Sequence, residues 1–163
     1  MLELHTYTIM DEIIIRAATT DDIDTLLQFE QGVITAERPF DTTYKDDPIN
    51  YYNLPNMIEA PHIHLVVAEL NGELIGSGYA RIEKALHFLK HTHHAYLGFM
   101  YVLPAYRGKG VNKQVIEHLA KWALDNGITE LRLEVFDDNL PAIKAYEKAG
   151  FGKLLVQMRK PVG

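Results

Sequence analysis

The chain has 163 residues, 47% hydrophobic and 23% charged, the balance of one ordinary globular domain. That excludes a disordered tail, a collagen-like repeat and a coiled coil. No apolar run approaches the ~18–20 residues that span a bilayer, so no membrane partner is expected. The first sixteen residues carry Glu3, Asp11 and Glu12 and no basic stretch, unlike a secretory leader. The chain has no Cys, which excludes disulfides, thiolate metal sites and a cysteine nucleophile, and fits a reducing cytoplasm.

The net charge of −6 is unevenly spread. Residues 1–106 hold 6 Lys and Arg against 15 Asp and Glu, whereas residues 107–163 hold 10 against 7. The first half suits a cationic partner and the second an anionic one, unless both are plain solvated surface. The overall acidity argues against nucleic-acid binding.

In chain order, Ile13-Ile14-Ile15 predicts a first strand, and Thr19-Thr20-Asp21-Asp22 caps a helix carrying Ile23, Leu26, Leu27 and Phe29. Residues 32–47 read as irregular. A short helix is expected after Asp47-Pro48, interrupted near Pro55. A second strand runs from His64 to Glu69, Asn71-Gly72 makes a hairpin turn, and a third strand runs from Leu74 to Ile82. Gly76 and Gly78 leave one face of that strand open to close packing. A fourth strand spans about Ala95 to Val102. An amphipathic helix then carries Val111, Val115, Leu119, Trp122 and Ala123, and ends at Asn126-Gly127. Leu131, Leu133 and Val135 predict a fifth strand, Asn139 caps a last helix stopped by Gly150, and Leu154 to Met158 predicts a final strand. The class is mixed α/β.

The most informative stretch is Tyr106-Arg107-Gly108-Lys109-Gly110-Val111-Asn112-Lys113, where a strand gives way through a Gly-rich turn to a helix. Glycines admit close backbone approach, and a helix N-terminus presents N–H groups and partial positive charge, so this is an anion site. It is neither a P-loop nor a dinucleotide fingerprint. The second segment is Asn139-Leu140-Pro141-Ala142-Ile143-Lys144-Ala145-Tyr146-Glu147-Lys148-Ala149-Gly150-Phe151.

Together the two segments resemble the GNAT family of N-acetyltransferases. The first matches (Q/R)-x-x-G-x-(G/A), and the second matches N-x-x-A-x-x-x-Y-x-x-x-G-F. The resemblance is strong over residues 96–152. It implies a single N-acetyltransferase domain over 1–163, with 1–12 as an extra N-terminal segment. It also implies a mostly antiparallel central sheet splayed between strands four and five, flanked by helices, with acetyl-CoA in the splay as co-substrate and no metal. Backbone groups of Met100, Tyr101 and Val102 would pair with the pantetheine arm, and an N–H near Val102 would meet the thioester oxyanion. The pyrophosphate would lie on the amides of Gly108, Lys109, Gly110, Val111, Asn112 and Lys113, with charge from Arg107. Asn139 would bond the pantetheine, and Tyr146 would protonate the departing thiolate, unless it is a core tyrosine. Asn112 departs from the pattern, replacing a small residue.

Transfer to an amine needs the neutral amine. An alkyl ammonium of pKa near 10.4 leaves about one molecule in 10³ unprotonated at pH 7, so a base and a dry site are needed. Glu134, His94, Tyr96 and a relayed water are the alternatives for that base. Glu37, Asp41, Tyr44, Asp46 and Asp47 form an acidic stretch suited to a cationic acceptor, or a solvated loop. His87, His91, His93 and His94 cluster in sequence but match no metal-ligand spacing. The expected reaction is acetyl transfer to a small, cationic primary amine in a ternary complex. A protein N-terminal or lysine acetyltransferase, or a binding-only acyl-CoA module, are the alternatives. The oligomeric state is not readable from the residues; the resemblance to the family suggests a homodimer, with Trp122, Phe88 and the terminal strand as contributors.

Overall fold

The computed structural model describes residues 12–163; all but Glu12 of the expected N-terminal addition lies outside them. Five strands form one sheet in the order β1 (Ile14–Ala17), β2 (Ile63–Leu70), β3 (Glu73–Lys84), β4 (His93–Val102) and β5 (Leu131–Arg132). The first three pairings are antiparallel and β4–β5 is parallel. The β2–β3 hairpin turns at Asn71 and Gly72, with φ of 51° and 81°.

Helices cover both faces. On one side lies α3 (Val111–Asp125), whose buried stripe is Val111, Val115, Leu119 and Ala123. It reaches the sheet because β3 carries glycines where it crosses. A Cβ on Gly78 would lie 2.7 Å from Val115 Cγ1, and one on Gly76 would lie 2.8 Å from the Tyr101 carbonyl oxygen. On the other side α1 (Ile23–Glu37) and α2 (Leu54–Glu59) bury Leu26, Phe29, Val33, Leu54 and Met57. Helix α4 (Leu140–Lys148) follows β5.

Three expectations are corrected. The short helix does not follow Pro48; it starts at Leu54, with the Asn53 side chain accepting the Asn56 N–H and Pro55 in its first turn. The fifth strand ends at Arg132, so Val135 and Glu134 lie beyond it. The final strand is not formed: residues 151–163 carry no helix or strand, and Leu154, Leu155 and Met158 are exposed. A run of apolar, β-favouring residues makes a strand only beside a free partner edge, and β5 offers just two residues.

The back of α3 is tied to the sheet by two histidines. His64 of β2 and His118 of α3 bring their Nε2 atoms to 3.1 Å, one donating and the other accepting. The indole of Trp122 lies nearly parallel to the His64 ring, 5.3 Å between centroids. Burial lowers both imidazole pKa values below the ordinary one; each neighbouring positive charge, His118 for His64 and Lys121 for His118, lowers them further. A lowered folded pKa means that the neutral forms stabilise the fold. That contribution is complete above the free-imidazole pKa of about 6.5 and is lost as pH falls through the folded values. We expect the thermal midpoint to drop between neutral pH and pH 5, and the fluorescence of Trp122, the only tryptophan, to follow the same titration. His118→Gln should flatten both curves.

Candidate active site

The β4–β5 ladder pairs only Ala95 with Leu131 and Tyr96 with Arg132. Beyond Tyr96, β4 runs on for six more residues without β5 beside it, so the sheet opens there into the expected splay. Within the opened stretch the β3–β4 register shifts by one residue between Ser77 and Tyr79, and Phe99 takes φ 53°. The shift changes which amides face the gap. Ala95 N–H bonds Glu130 on the β5 side, whereas Leu103 N–H bonds Ile75 on the β3 side. Residues eight apart in a regular strand would face the same edge. Val102, next to Leu103, therefore turns its backbone polar groups away from β3, into the opening. Its carbonyl already accepts Arg107 Nε at 3.0 Å, and the guanidinium lies 5.8 Å from the centre of the Tyr101 ring.

The Gly-rich turn follows a short 3-10 turn at Pro104–Tyr106. Gly110 precedes α3 with φ 81°, a left-handed backbone that a side chain would strain. Among the described residues no side chain caps this end. The first intrahelical bond runs from Gln114 N–H to Gly110 O, so the amides of Val111, Asn112 and Lys113 have no carbonyl above them. Asn112 sits in regular helix, so a side chain in place of the family's small residue puts no strain on the backbone there. Arg107, Gly108, Lys109 and Lys113 are exposed around this end. A cleft of about 470 Å³ is lined by Gly32 and Thr35 of α1 together with Tyr101, Pro104 and Arg107. A larger hollow of about 660 Å³, beside His91, His93 and Gly127, lies at the other end of β4 and holds none of the motif residues.

Asn139 caps α4, its Oδ1 accepting the Ala142 N–H at 3.4 Å. Tyr146 is half-buried, its ring 5.8 Å from Phe151 in an edge contact. Burial raises the phenol pKa above 10, and the negative charge of Glu37 raises it further. Glu37 is thus close enough to act on Tyr146 although the two lie 109 residues apart in the sequence.

The acidic stretch separates by partner. Asp41 accepts from Thr43 and from Arg159, which hold its carboxyl down at about 2. Asp47 pairs with Arg38 at 2.6 Å. Glu37 instead accepts two phenols, Tyr44 at 2.9 Å and Tyr51 at 3.0 Å, and has no ion pair among the described residues. Phe40 stacks on Phe136 at 5.9 Å, which ties the end of α1 to the segment carrying Glu134. Glu134 also lacks an ion pair among the described residues, and it lies near enough to Tyr96 and Tyr79 to raise both phenols, on which burial acts more strongly.

Of the other bases considered, His94 is buried with Nε2 3.4 Å from Glu83. Of the four histidines only His91 and His94 meet, edge to face at 6.3 Å between ring centroids; His91 also faces Glu130, His93 bonds Thr92 and His87 lies against Phe88. Among the described residues no three metal-ligating groups meet. Sequence reasoning missed Glu30, fully buried on α1, whose Oε1 accepts the N–H groups of Tyr51 and Tyr52 and so holds the tyrosine segment against α1. Its position among Leu26, Phe29, Val33 and Ile34 on one helical stripe was the available signal.

Comparison with known proteins agrees with this geometry. The model of the acetyltransferase (GNAT) family matches residues 26–151. A thialysine N-epsilon-acetyltransferase of Sus scrofa is 37% identical over 101 residues, 56% of this chain and 57% of the relative, so the match spans little more than half of that protein. An uncharacterised N-acetyltransferase of Bacillus subtilis is 35% identical over 111 residues, 66% of this chain and 67% of the relative. A predicted acetyltransferase of Clostridium acetobutylicum, solved with acetyl-CoA, superposes with a TM-score of 0.71 at 18% identity, covering 92% and 96% of the two chains. With the splayed sheet, the uncapped α3 and both sequence segments in place, the chain belongs to the GNAT family of acetyltransferases.

Proposed function

We propose that this protein is a single-domain cytoplasmic enzyme that transfers the acetyl group of acetyl-CoA directly to a primary amine of a small cationic acceptor. The observation that carries the acceptor reading is Glu37. It is the member of the acidic stretch whose charge raises the Tyr146 phenol and which has tyrosine hydroxyls rather than a cation for partners. A carboxylate set among phenols and aromatic faces suits an ammonium group.

In this reading the donor lies along the open edge of β4. The pantetheine pairs with backbone groups of Met100 and Val102, whereas Tyr101 between them, expected from the resemblance to join them, turns its own toward Ser77 of β3. The pyrophosphate takes the amides from Gly108 to Lys113, with Arg107, Lys109 and Lys113 supplying charge. The Arg107 contact to the Val102 carbonyl fixes the β4–α3 corner. Asn139 uses its Oδ1 as a cap, which leaves its amide NH₂ for the pantetheine. The neutral amine attacks the thioester carbon, and a backbone N–H near Val102 meets the oxyanion. Glu134 takes the amine proton, directly or through water, and Tyr146 gives its proton to the sulfur as the C–S bond breaks. A homodimer belongs to the same proposal, with exposed Phe88 and the 154–158 segment as contact surface; Trp122, half-buried against His64, contributes less.

The test is CoA release from acetyl-CoA with a panel of diamines, polyamines, aminoglycosides, amino acids and peptides with free N-termini. Turnover concentrated in amines that carry a second positive charge is the expected result. Turnover confined to peptides would replace this reading with the protein N-terminal or lysine one. Tight acetyl-CoA binding with no turnover would favour the binding-only module.

A further inference from the structure

The register shift in β4 aims the amides that follow it, and one side chain sits on that shift. Ser77 of β3 is fully buried, and its hydroxyl donates to the Phe99 carbonyl at 3.0 Å. Phe99 is the β4 residue with positive φ, a conformation that costs a non-glycine residue energy and must be held by its surroundings. Its ring is buried and stacks on Tyr52 at 4.5 Å. The Phe99 backbone is thus gripped from two sides, by a stacked ring and by a hydroxyl on its carbonyl. A straight β4 would turn Leu103 toward the gap and Val102 toward β3, the reverse of what is seen.

We propose that Ser77 is a positioning residue for acyl transfer: by holding the Phe99 carbonyl it maintains the shifted register that points the Val102 N–H at the thioester oxygen. The inference rests on the reading of β4 as the donor strand and goes beyond it by naming what sets the aim. Ser77 lies on the neighbouring strand and touches no reacting atom. A serine fits the place because Gly76 and Gly78 on either side are occupied by backbone and by α3, leaving a short side chain facing α1 as the available donor. Small misplacement of a catalytic donor is expensive; a shift of about 1 Å can cost roughly a hundredfold in rate.

The test needs no knowledge of the acceptor. Acetyl-CoA labelled with carbon-13 at the acetyl carbonyl is bound to the protein, and the thioester C=O stretch is read by isotope-edited infrared difference spectroscopy. In the wild type the stretch should move to lower frequency than in free acetyl-CoA, as a hydrogen bond to the carbonyl oxygen requires. Ser77→Ala should return most of that shift while the Kd for acetyl-CoA stays within about twofold, since most of the donor contacts lie elsewhere. Ser77→Cys, which offers a weaker donor in similar space, should give an intermediate frequency and serves alone if the alanine variant does not fold. Val67→Ala, which removes buried volume directly across from Ser77 on β2, should lower the thermal midpoint and leave the frequency unchanged. A frequency in the serine variants equal to the wild type overturns the role of Ser77, as does an equal shift in Val67→Ala. A wild type that binds acetyl-CoA with no shift overturns the oxyanion contact itself, and one that does not bind it overturns the proposed function.

Discussion

Tyr146→Phe is expected to lower kcat by about ten- to a hundredfold with little change in acetyl-CoA affinity. The range lies at the low end for general acid catalysis because the leaving group needs only modest help: a thiol of pKa near 8.5 departs readily even unprotonated. Phenylalanine keeps the ring that packs against Phe151, so the fold and the acetyl-CoA site should persist. Burial and Glu37 both raise the phenol pKa, so the hydroxyl stays protonated through neutral pH. The basic limb of the rate profile that belongs to Tyr146 should lie above pH 10, the ordinary tyrosine value, and should vanish in the phenylalanine variant. Unchanged turnover, measured as CoA release at saturating acetyl-CoA, would make Tyr146 a packing residue.

Glu37→Gln should raise the KM for a diamine by about tenfold, equivalent to about 1.4 kcal/mol, while leaving a monoamine of similar length almost unaffected. The amide preserves the shape, and its oxygen can still accept from Tyr44 and Tyr51, so the loop should stay in place. What is lost is the charge. The site is partly open, which holds the effect below that of a fully buried ion pair. A second readout comes from the coupling to Tyr146: removing the Glu37 charge should move the basic limb of the rate profile down toward the ordinary tyrosine value. Equal losses for diamine and monoamine would mean that Glu37 supports the cleft without recognising the acceptor.

The proposed donor side of this protein is legible in one dimension because it is built from contiguous residues. Gly110 must take a left-handed backbone, Asn139 must cap α4, and Val111, Val115 and Leu119 must face the sheet; each follows from local spacing. The splay follows from the resemblance, and the structure forms it where β5 stops at Arg132. Leu133 and Val135 read as more strand than exists because alternation records a half-buried chain, not the presence of a partner. Leu154 to Met158, an apolar run that stays exposed, likewise lacks a partner strand.

The proposed acceptor side joins residues that are distant in sequence. Glu37 and Asp41 look alike in a loop of acids, yet Arg159 pairs with Asp41 and phenols meet Glu37, and neither pairing has a local signature. The Ser77 hydroxyl finds the Phe99 carbonyl only because the β3–β4 register shifts there, which strand composition does not reveal.

The most direct test of the central claim is a two-substrate initial-velocity study of CoA release, varying acetyl-CoA against a diamine, with the acetylated product counted by mass spectrometry. Direct transfer predicts lines that intersect, one acetyl group on the amine for each CoA released, and protein that carries no acetyl group after incubation with acetyl-CoA alone. Parallel lines together with an acetylated protein would contradict it, since they would place a covalent intermediate in a chain without cysteine.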